Sequence, residues 1–191
     1  MTLKRELGRK AIHLGSAVFP VSYWFLDKEL FLPIIGVLAI GTIAIDYGRH
    51  KVDWIRRLFH AIFGSVLREQ EHTTLTGGST VMAAEFLMVA LFPKPVAIAS
   101  LLTLSIGDSA AAIVGITYGR HTIHKRKTWE GTLAFVVSAS VVGWLVPGIP
   151  LYAAILAALA AGLVEVLFTV FDDNICIPLA SGLTLVLLLG I

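Results

Sequence analysis

Residues 105–132 read SIGDSAAAIVGITYGRHTIHKRKTWEGT. The run begins inside an apolar stretch, 95–118, that is long enough to cross a bilayer, so an acid at position 108 needs a reason to be there. An ionisable group at membrane depth costs on the order of a few kcal/mol, and such groups mark functional sites. Gly107, Ala111, Gly115 and Gly119 recur every fourth residue, which on a helix makes one stripe poor in side chains where a backbone or a ligand can come close. Past the stripe, Arg120, His121, His124, Lys125, Arg126 and Lys127 place positive charge just outside the apolar run. A metal-binding acid, a close approach and a basic loop are what a phosphorylated substrate requires. A packing stripe followed by a basic membrane-flanking loop accounts for the same residues without chemistry.

The rest of the chain has the same character. Of 191 residues, 57% are hydrophobic and 15% charged, the composition of an integral membrane protein. Six further apolar stretches lie at roughly 11–26, 30–45, 79–92, 131–147, 151–171 and 175–191, which predicts an all-α polytopic protein of about seven transmembrane helices in a single domain, 1–191. Charge orients it. With the N-terminus inside, 13 Lys and Arg residues fall in inner segments and only Lys28 and Lys94 outside. The expected location is a cell or ER-type membrane, crossed several times, with working parts on the cytosolic side. MTLKRELGRK before an apolar run resembles a signal peptide, but no small-residue cleavage site follows, so the segment is expected to remain a membrane helix.

A net charge of +2 gives no reason to expect a nucleic-acid partner, and the single Cys176 excludes an intrachain disulfide. In the long inner loop, Ile55, Leu58, Phe59, Ile62, Phe63, Val66 and Leu67 fall on one helical face opposite Arg56, Arg57 and His60. That pattern predicts an amphipathic helix lying in the headgroup layer, either a plain anchor or a gate for lipid entry. After it, Gly77 and Gly78 open the next apolar helix, where backbone N–H groups can hold a phosphate oxygen or serve ordinary capping.

Asp46, Glu85, Asp108, Glu165, Asp172 and Asp173 all fall on the cytosolic side of the expected membrane or in its inner half. A secondary transporter tends to place coupling acids near the midplane, often with inverted repeats. An enzyme that joins a cytosolic nucleotide to a membrane alcohol needs them beneath the inner surface, so the asymmetry favours an enzyme over a transporter. Asp108 with Asp172 or Asp173, and Asn174 as a neutral oxygen, can supply ligands for Mg²⁺ or another divalent cation. Two acids in a turn before a helix also read as a solvated cap. Arg9 and Lys10 precede His13 by a turn or less, so all three approach one inner-surface pocket; they serve equally well as membrane-flanking anchors. No G-x-x-x-x-G-K-[ST] loop, kinase-type glycine loop, zinc spacing or G-x-S-x-G elbow is present.

GDSAAAIVGITYGRH followed by KRKTWEGT, with ELGRKAIHL near the start and DDNICIPLASG near the end, resembles the membrane CTP-dependent lipid kinases: dolichol kinase, phytol kinase and CTP-dependent diacylglycerol kinase. That family is similar in turn to the phosphatidate cytidylyltransferases. The resemblance implies CTP as phosphoryl donor and a lipid alcohol as acceptor, either a polyprenol, phytol or similar prenol, or diacylglycerol. With the reading of the residues above, it gives Asp108, Glu165 and Glu130 as the expected catalytic residues, the two glutamates being candidates for the base. Arg9, Lys10, His13, Gly115, Gly119, Lys127 and Thr128, together with Gly77 and Gly78 at their helix start, are the expected nucleotide or phosphate contacts, and Asp108, Asp172, Asp173 and Asn174 the expected metal ligands. Thr128 and Trp129 stand where the family usually carries Ser and Leu. Cytidylyl transfer to phosphatidate is the alternative reaction, and the small-residue stripe is compatible with a homodimer.

Overall fold

The computed structural model describes residues 3–125, 127–167 and 172–191. Arg126, one of the residues of the basic loop, lies outside them. Ten α-helices and one two-stranded hairpin follow in order: α1 Leu3–Gly15, α2 Val18–Phe25, α3 Lys28–Lys51, α4 Asp53–Phe63, α5 Gly77–Leu91, α6 Lys94–Leu102, α7 Asp108–Tyr118, β1 Thr122–His124, β2 Lys127–Thr128, α8 Trp129–Trp144, α9 Leu151–Leu167 and α10 Asp173–Leu189.

Two helical runs are long and apolar enough to cross a bilayer: Lys28–Lys51, and Lys94–Tyr118, which joins α6 to α7. The second is the central rod, with 78% of its apolar window buried against 22% for the first. Gly77–Leu91, Leu151–Leu167 and Asp173–Leu189 are shorter apolar helices. Large apolar side chains such as Val37, Ile40, Leu163 and Leu187 stand exposed along these helices, and Leu133 along α8, as lipid contact requires. The protein is therefore helical and membrane-associated.

The first apolar stretch is two helices, with Ser16 and Ala17 between them. Pro20 is the cause: it has no N–H for the carbonyl of Ser16, and its ring crowds that carbonyl. The Ser16 carbonyl instead takes the N–H of Phe19 at 3.0 Å, and the Ser16 hydroxyl donates to the His13 carbonyl at 2.6 Å.

The connections from α2 to α3 and from α5 to α6 are short, and lysines stitch them. Lys28 Nζ donates to the carbonyl of Ala90 and Lys94 Nζ to that of Leu26, 3.0 and 2.8 Å away. A cation beside the last carbonyls of a helix is favoured by the helix dipole. At the other end, α4 has no buried residue and keeps the expected amphipathic pattern, but it stops at Phe63. Gly64 forms its C-cap, and the chain then turns Leu67 into the interior, so the last two residues of the expected apolar face leave the helix.

Small residues set the packing of the last three helices. Ala153, Ala154, Ala157, Ala158 and Ala161 are buried on α9, which lies between α8 and α10. The expected stripe on α7 is used in the same way: a Cβ on Gly115 would meet Thr128 Oγ1 at 3.1 Å, and one on Gly107 the ring of Phe135 at 3.1 Å. That stripe is thus covered by α8 and its leading strand within the same chain. The basic loop between α7 and α8, read from sequence as a loop only, is the β1–β2 hairpin, with Lys125 at φ 50° in its turn.

Candidate functional site

The central rod changes its winding just before its acid. Thr103–Gly107 forms a π-helical turn between α6 and α7, and Asp108 is the first residue after it. Such turns insert one residue into the helical ladder, displace the side chains that follow and recur at functional sites. Here α1 docks against the disturbed segment. Ser16 Oγ and Ser105 Oγ lie 2.9 Å apart, and His13 Nε2 is 3.3 Å from the carbonyl of Leu104. Lys10 and His13, one turn apart on α1, meet the same oxygen of Asp108: Lys10 Nζ donates to Oδ2, and His13 Nε2 is 3.3 Å from it. Asp108 is only 5% exposed, so its charge is compensated by neighbours rather than by solvent.

A second polar cluster lies at the start of α5. Glu71 accepts from Arg9 Nη1 at 3.3 and 3.4 Å through its two oxygens, from the N–H of Arg68 at 2.6 Å and from the N–H of Gly77 at 3.1 Å. Arg49, fully buried on α3, donates to Asp46 Oδ1 at 2.8 Å and to the carbonyls of Glu71 and Thr74 at 2.6 and 2.8 Å. The other oxygen of Asp46 takes the backbone N–H and the hydroxyl of Thr76, both at 2.8 Å. The segment 71–76 is therefore held from inside the protein by one ion pair.

Both clusters border one cavity of about 570 Å³. Arg9, Lys10, His13, Gly77, Gly78, Asp108, Asp173 and Asn174 line it, so eight of the residues expected to act are brought together. Asn174 Nδ2 donates to Thr80 Oγ1 at 2.9 Å, which ties α10 to α5 across the cavity. Asp46, Arg68, Glu71 and the hydroxyl side chains Ser16, Thr42, Thr76 and Ser79 also line it, together with apolar side chains: Ile12, Val18 and Phe19 from α1 and α2, Ile45 from α3, and Phe59 and Phe63 from α4. The cavity thus offers both ionic groups and apolar surface.

Other expected residues lie apart from it. Asp172 is exposed and caps α10, its Oδ1 accepting the N–H of Asn174 at 2.9 Å. Thr128 caps α8 through the N–H of Gly131, and Gly115 and Gly119 pack against Thr128. Glu130 faces the hairpin, 2.7 Å from His121 Nδ1. Glu85 is buried in α5, and neither carboxylate oxygen has a hydrogen-bond partner among the described residues.

Lys127 and Glu165 form a separate ion pair that joins the hairpin to α9. Burial lowers the pKa of Lys127, but Glu165, its hydrogen bond, and the more distant Asp108 and Asp173 outweigh burial and raise it above the ordinary lysine value. The pair therefore lies within electrostatic reach of the cavity's acids. Among the described residues, no three His, Cys, Asp or Glu side chains converge on one point as a metal cluster. Of the expected ligands, Asp108, Asp173 and Asn174 line the cavity, and Mg²⁺ characteristically takes only one or two carboxylates when phosphates supply the rest.

Sequence reasoning missed Glu71 and the pairing of Arg49 with Asp46. Glu71 stands in the polar run REQEHTTLT, where an acid reads as a solvated loop residue. Its place six residues before a helix-opening glycine pair is too common a spacing to single it out.

The chain is similar to an uncharacterized protein of Rickettsia prowazekii, 33% identical over 74% of this chain and 70% of that protein. It is 30% identical to the CTP-dependent diacylglycerol kinase 1 of Schizosaccharomyces pombe, over 70% of this chain and 63% of the kinase. A probable chloroplastic phytol kinase of Zea mays is 30% identical over 97% of this chain and 68% of its own length. The chain thus spans roughly two thirds of the length of these relatives. No protein-family model matches it. No solved structure matches it either.

Proposed function

Because the chain belongs to the CTP-dependent lipid kinase family, we propose that it transfers the γ-phosphoryl group of CTP to the hydroxyl of a membrane lipid alcohol at the cytosolic surface. The observation that carries this reading is a single cavity lined both by cations, acids and helix-opening glycines and by apolar side chains. CTP as donor and a lipid alcohol as acceptor follow from the relatives' names, phytol kinase and CTP-dependent diacylglycerol kinase.

Seven spans accommodate the helices: α1 with α2, then α3, α5, α6 with α7, α8, α9 and α10, while α4 lies in the headgroup layer. The clustering of basic residues in the inner segments sets the N-terminus and the cavity's ionic groups on the cytosolic side. Residues 1–191 then act as a single domain.

Phosphoryl transfer asks the protein for alignment and charge neutralisation more than for covalent chemistry. In the reaction the alcohol oxygen bonds to the γ-phosphorus, the bond to the β-phosphate oxygen breaks, CDP leaves and the alcohol proton passes to a base. Arg9, Lys10 and His13 present positive charge and N–H donors to the phosphates from one face of α1, and Gly77 and Gly78, at the start of α5, line the same cavity. Asp108 and Asp173, with Asn174, are the residues that would hold Mg²⁺, which supplies neutralisation of the triphosphate when bound. Lys127 adds charge beside Asp108. Of the two candidate bases, Glu165 is favoured, because it is buried and paired with Lys127 while Glu130 is held on the hairpin by His121. The apolar wall between α1, α2 and α4 receives the lipid chain.

The test is label transfer with the purified protein in lipid. CTP labelled in the γ-phosphate is expected to mark the lipid, and CTP labelled only in the α-phosphate to leave it unmarked. Label arriving from the α-phosphate would make it a cytidylyltransferase and end the kinase reading.

A further inference from the structure

We propose that Glu71 is a positioning residue for the nucleotide: its carboxylate fixes Arg9, and ties down the start of α5, at the wall of the cavity that receives the triphosphate. The inference rests on the CTP-kinase reading above and adds to it a residue outside every sequence motif.

The geometry supports more than a helix cap. A cap requires only an acceptor for the first N–H groups, and the N–H of Gly77 supplies that contact at 3.1 Å. Glu71 also takes Arg9, 62 residues away in the chain and on a different helix, through both oxygens. Arg9 and Gly77 both line the cavity. A Cβ on Gly77 would lie 3.5 Å from Glu71 Oε1, 3.7 Å from Arg9 Nη2 and 3.8 Å from Asn174 Nδ2, so these three side chains crowd around one glycine. The backbone of Glu71 is held as firmly as its side chain, since Arg49 donates to its carbonyl at 2.6 Å.

The sign of the charge narrows the role. A carboxylate beside a triphosphate repels it, so Glu71 cannot aid binding by touching the ligand. Its contribution must pass through the cation and the amide that it orders. Among the described residues Glu71 is the carboxylate that accepts hydrogen bonds from Arg9, so without it the guanidinium is no longer held in place.

The experiment measures KM for CTP, KM for the lipid and kcat in the full-length protein for Glu71→Ala, Glu71→Gln, Glu71→Asp, Arg9→Ala and the Arg9→Ala/Glu71→Ala double variant. Loss of charge-assisted hydrogen bonds predicts a rise of about ten-fold in the CTP KM of Glu71→Ala, with kcat at saturation and the lipid KM little changed. Glu71→Asp is expected to recover part of the loss and Glu71→Gln less, because only the first keeps the charge. The double variant should be no worse than Arg9→Ala alone. If Glu71→Ala is too unstable to purify, the Gln and Asp variants carry the same comparison. An unchanged CTP KM, a CTP KM that falls, or losses that multiply in the double variant would each overturn the proposal while leaving an active wild-type enzyme and the kinase reading in place. A wild-type protein that transfers no phosphoryl from CTP would remove the kinase reading itself.

Discussion

Lys10 and Asp108, 98 residues apart in the chain, form an ion pair at the point where α1 meets the π-helical turn of the central rod. The side chains are 12% and 7% exposed, so neither charge is left to water. The pair makes the amino-terminal helix part of the cavity rather than a peripheral anchor, and it joins two of the three sequence blocks on which the resemblance to the lipid kinases rests.

Replacing Asp108 by Asn keeps the shape and a hydrogen-bond acceptor for Lys10 while removing the charge. Turnover is expected to fall by about 10²–10³-fold or more, as for the loss of one electrostatic contact to a developing charge. The thermal midpoint should move little, because Lys10 can reorient toward the cavity. Wild-type turnover in this variant would remove both the metal role and the phosphate geometry built around it.

Lys127 and Glu165 differ in exposure, 31% against 2%, so the burden of breaking the pair falls on the glutamate. Lys127→Met leaves a carboxylate on α9 with no cation, and its Oε2 already has no hydrogen-bond partner among the described residues. A loss of about 1–3 kcal/mol is expected, below the figure for a fully buried pair because Lys127 is part-exposed. Adding Glu165→Gln should restore most of the stability without restoring activity. The pKa of Lys127 is raised on folding, so its contribution is complete below the ordinary lysine value of about 10.4 and is lost only as pH rises through the higher folded value. The stability difference between wild type and Lys127→Met should therefore not vary through titration of Lys127 from pH 6 to 9. A difference that shrinks between pH 7 and 9 would contradict that assignment.

Gly131→Ala tests the packing stripe. A Cβ there would stand 2.8 Å from the Ala111 carbonyl oxygen and 3.3 Å from Gly115 Cα, both backbone atoms that cannot swing aside. Forcing α7 and α8 apart is expected to cost about 1–3 kcal/mol and to lower the thermal midpoint. Gly41→Ala on α3, where nothing lies within 4 Å, should leave the midpoint unchanged or raise it.

What was legible in the sequence and what was not divide along physical lines. Helix positions came through, because apolar runs bounded by charge leave few alternatives. Asp108 came through because an acid inside such a run is costly. Arg9, Lys10 and His13 could be placed together because their spacing puts them on one helix face. The π-helical turn at Thr103–Gly107 was hidden: it inserts a residue without changing the apolar pattern. The stripe Gly115 and Gly119 was ambiguous between a ligand and a neighbouring helix, and only the fold shows Thr128 seated against it. Glu71 was invisible, since nothing in a polar loop tells which of its acids will be turned inward by a buried arginine on another helix.

That arginine supplies the most demanding test. Arg49 is 2% exposed and spends its guanidinium on three acceptors, Asp46 and the carbonyls of Glu71 and Thr74, with the ring of Phe59 4.8 Å from its centre. Lysine keeps the charge but offers one ammonium on a flexible stem, which cannot reproduce a planar fork reaching acceptors on both sides. Arg49→Lys is expected to cost about 2–4 kcal/mol of stability, from lost charge-assisted hydrogen bonds in a buried site. Because the segment 71–76 hangs from this fork, the CTP KM should rise in the same variant even at temperatures where it is fully folded. Phe59→Leu, which removes the cation–π contact and the ring contacts to His60 and Phe63 but none of the Arg49 hydrogen bonds, should cost about 1–2 kcal/mol and leave the CTP KM near the wild-type value. Equal effects of the two substitutions on CTP binding would mean that α4, and not the Arg49 hydrogen bonds, holds the nucleotide's wall of the cavity in place.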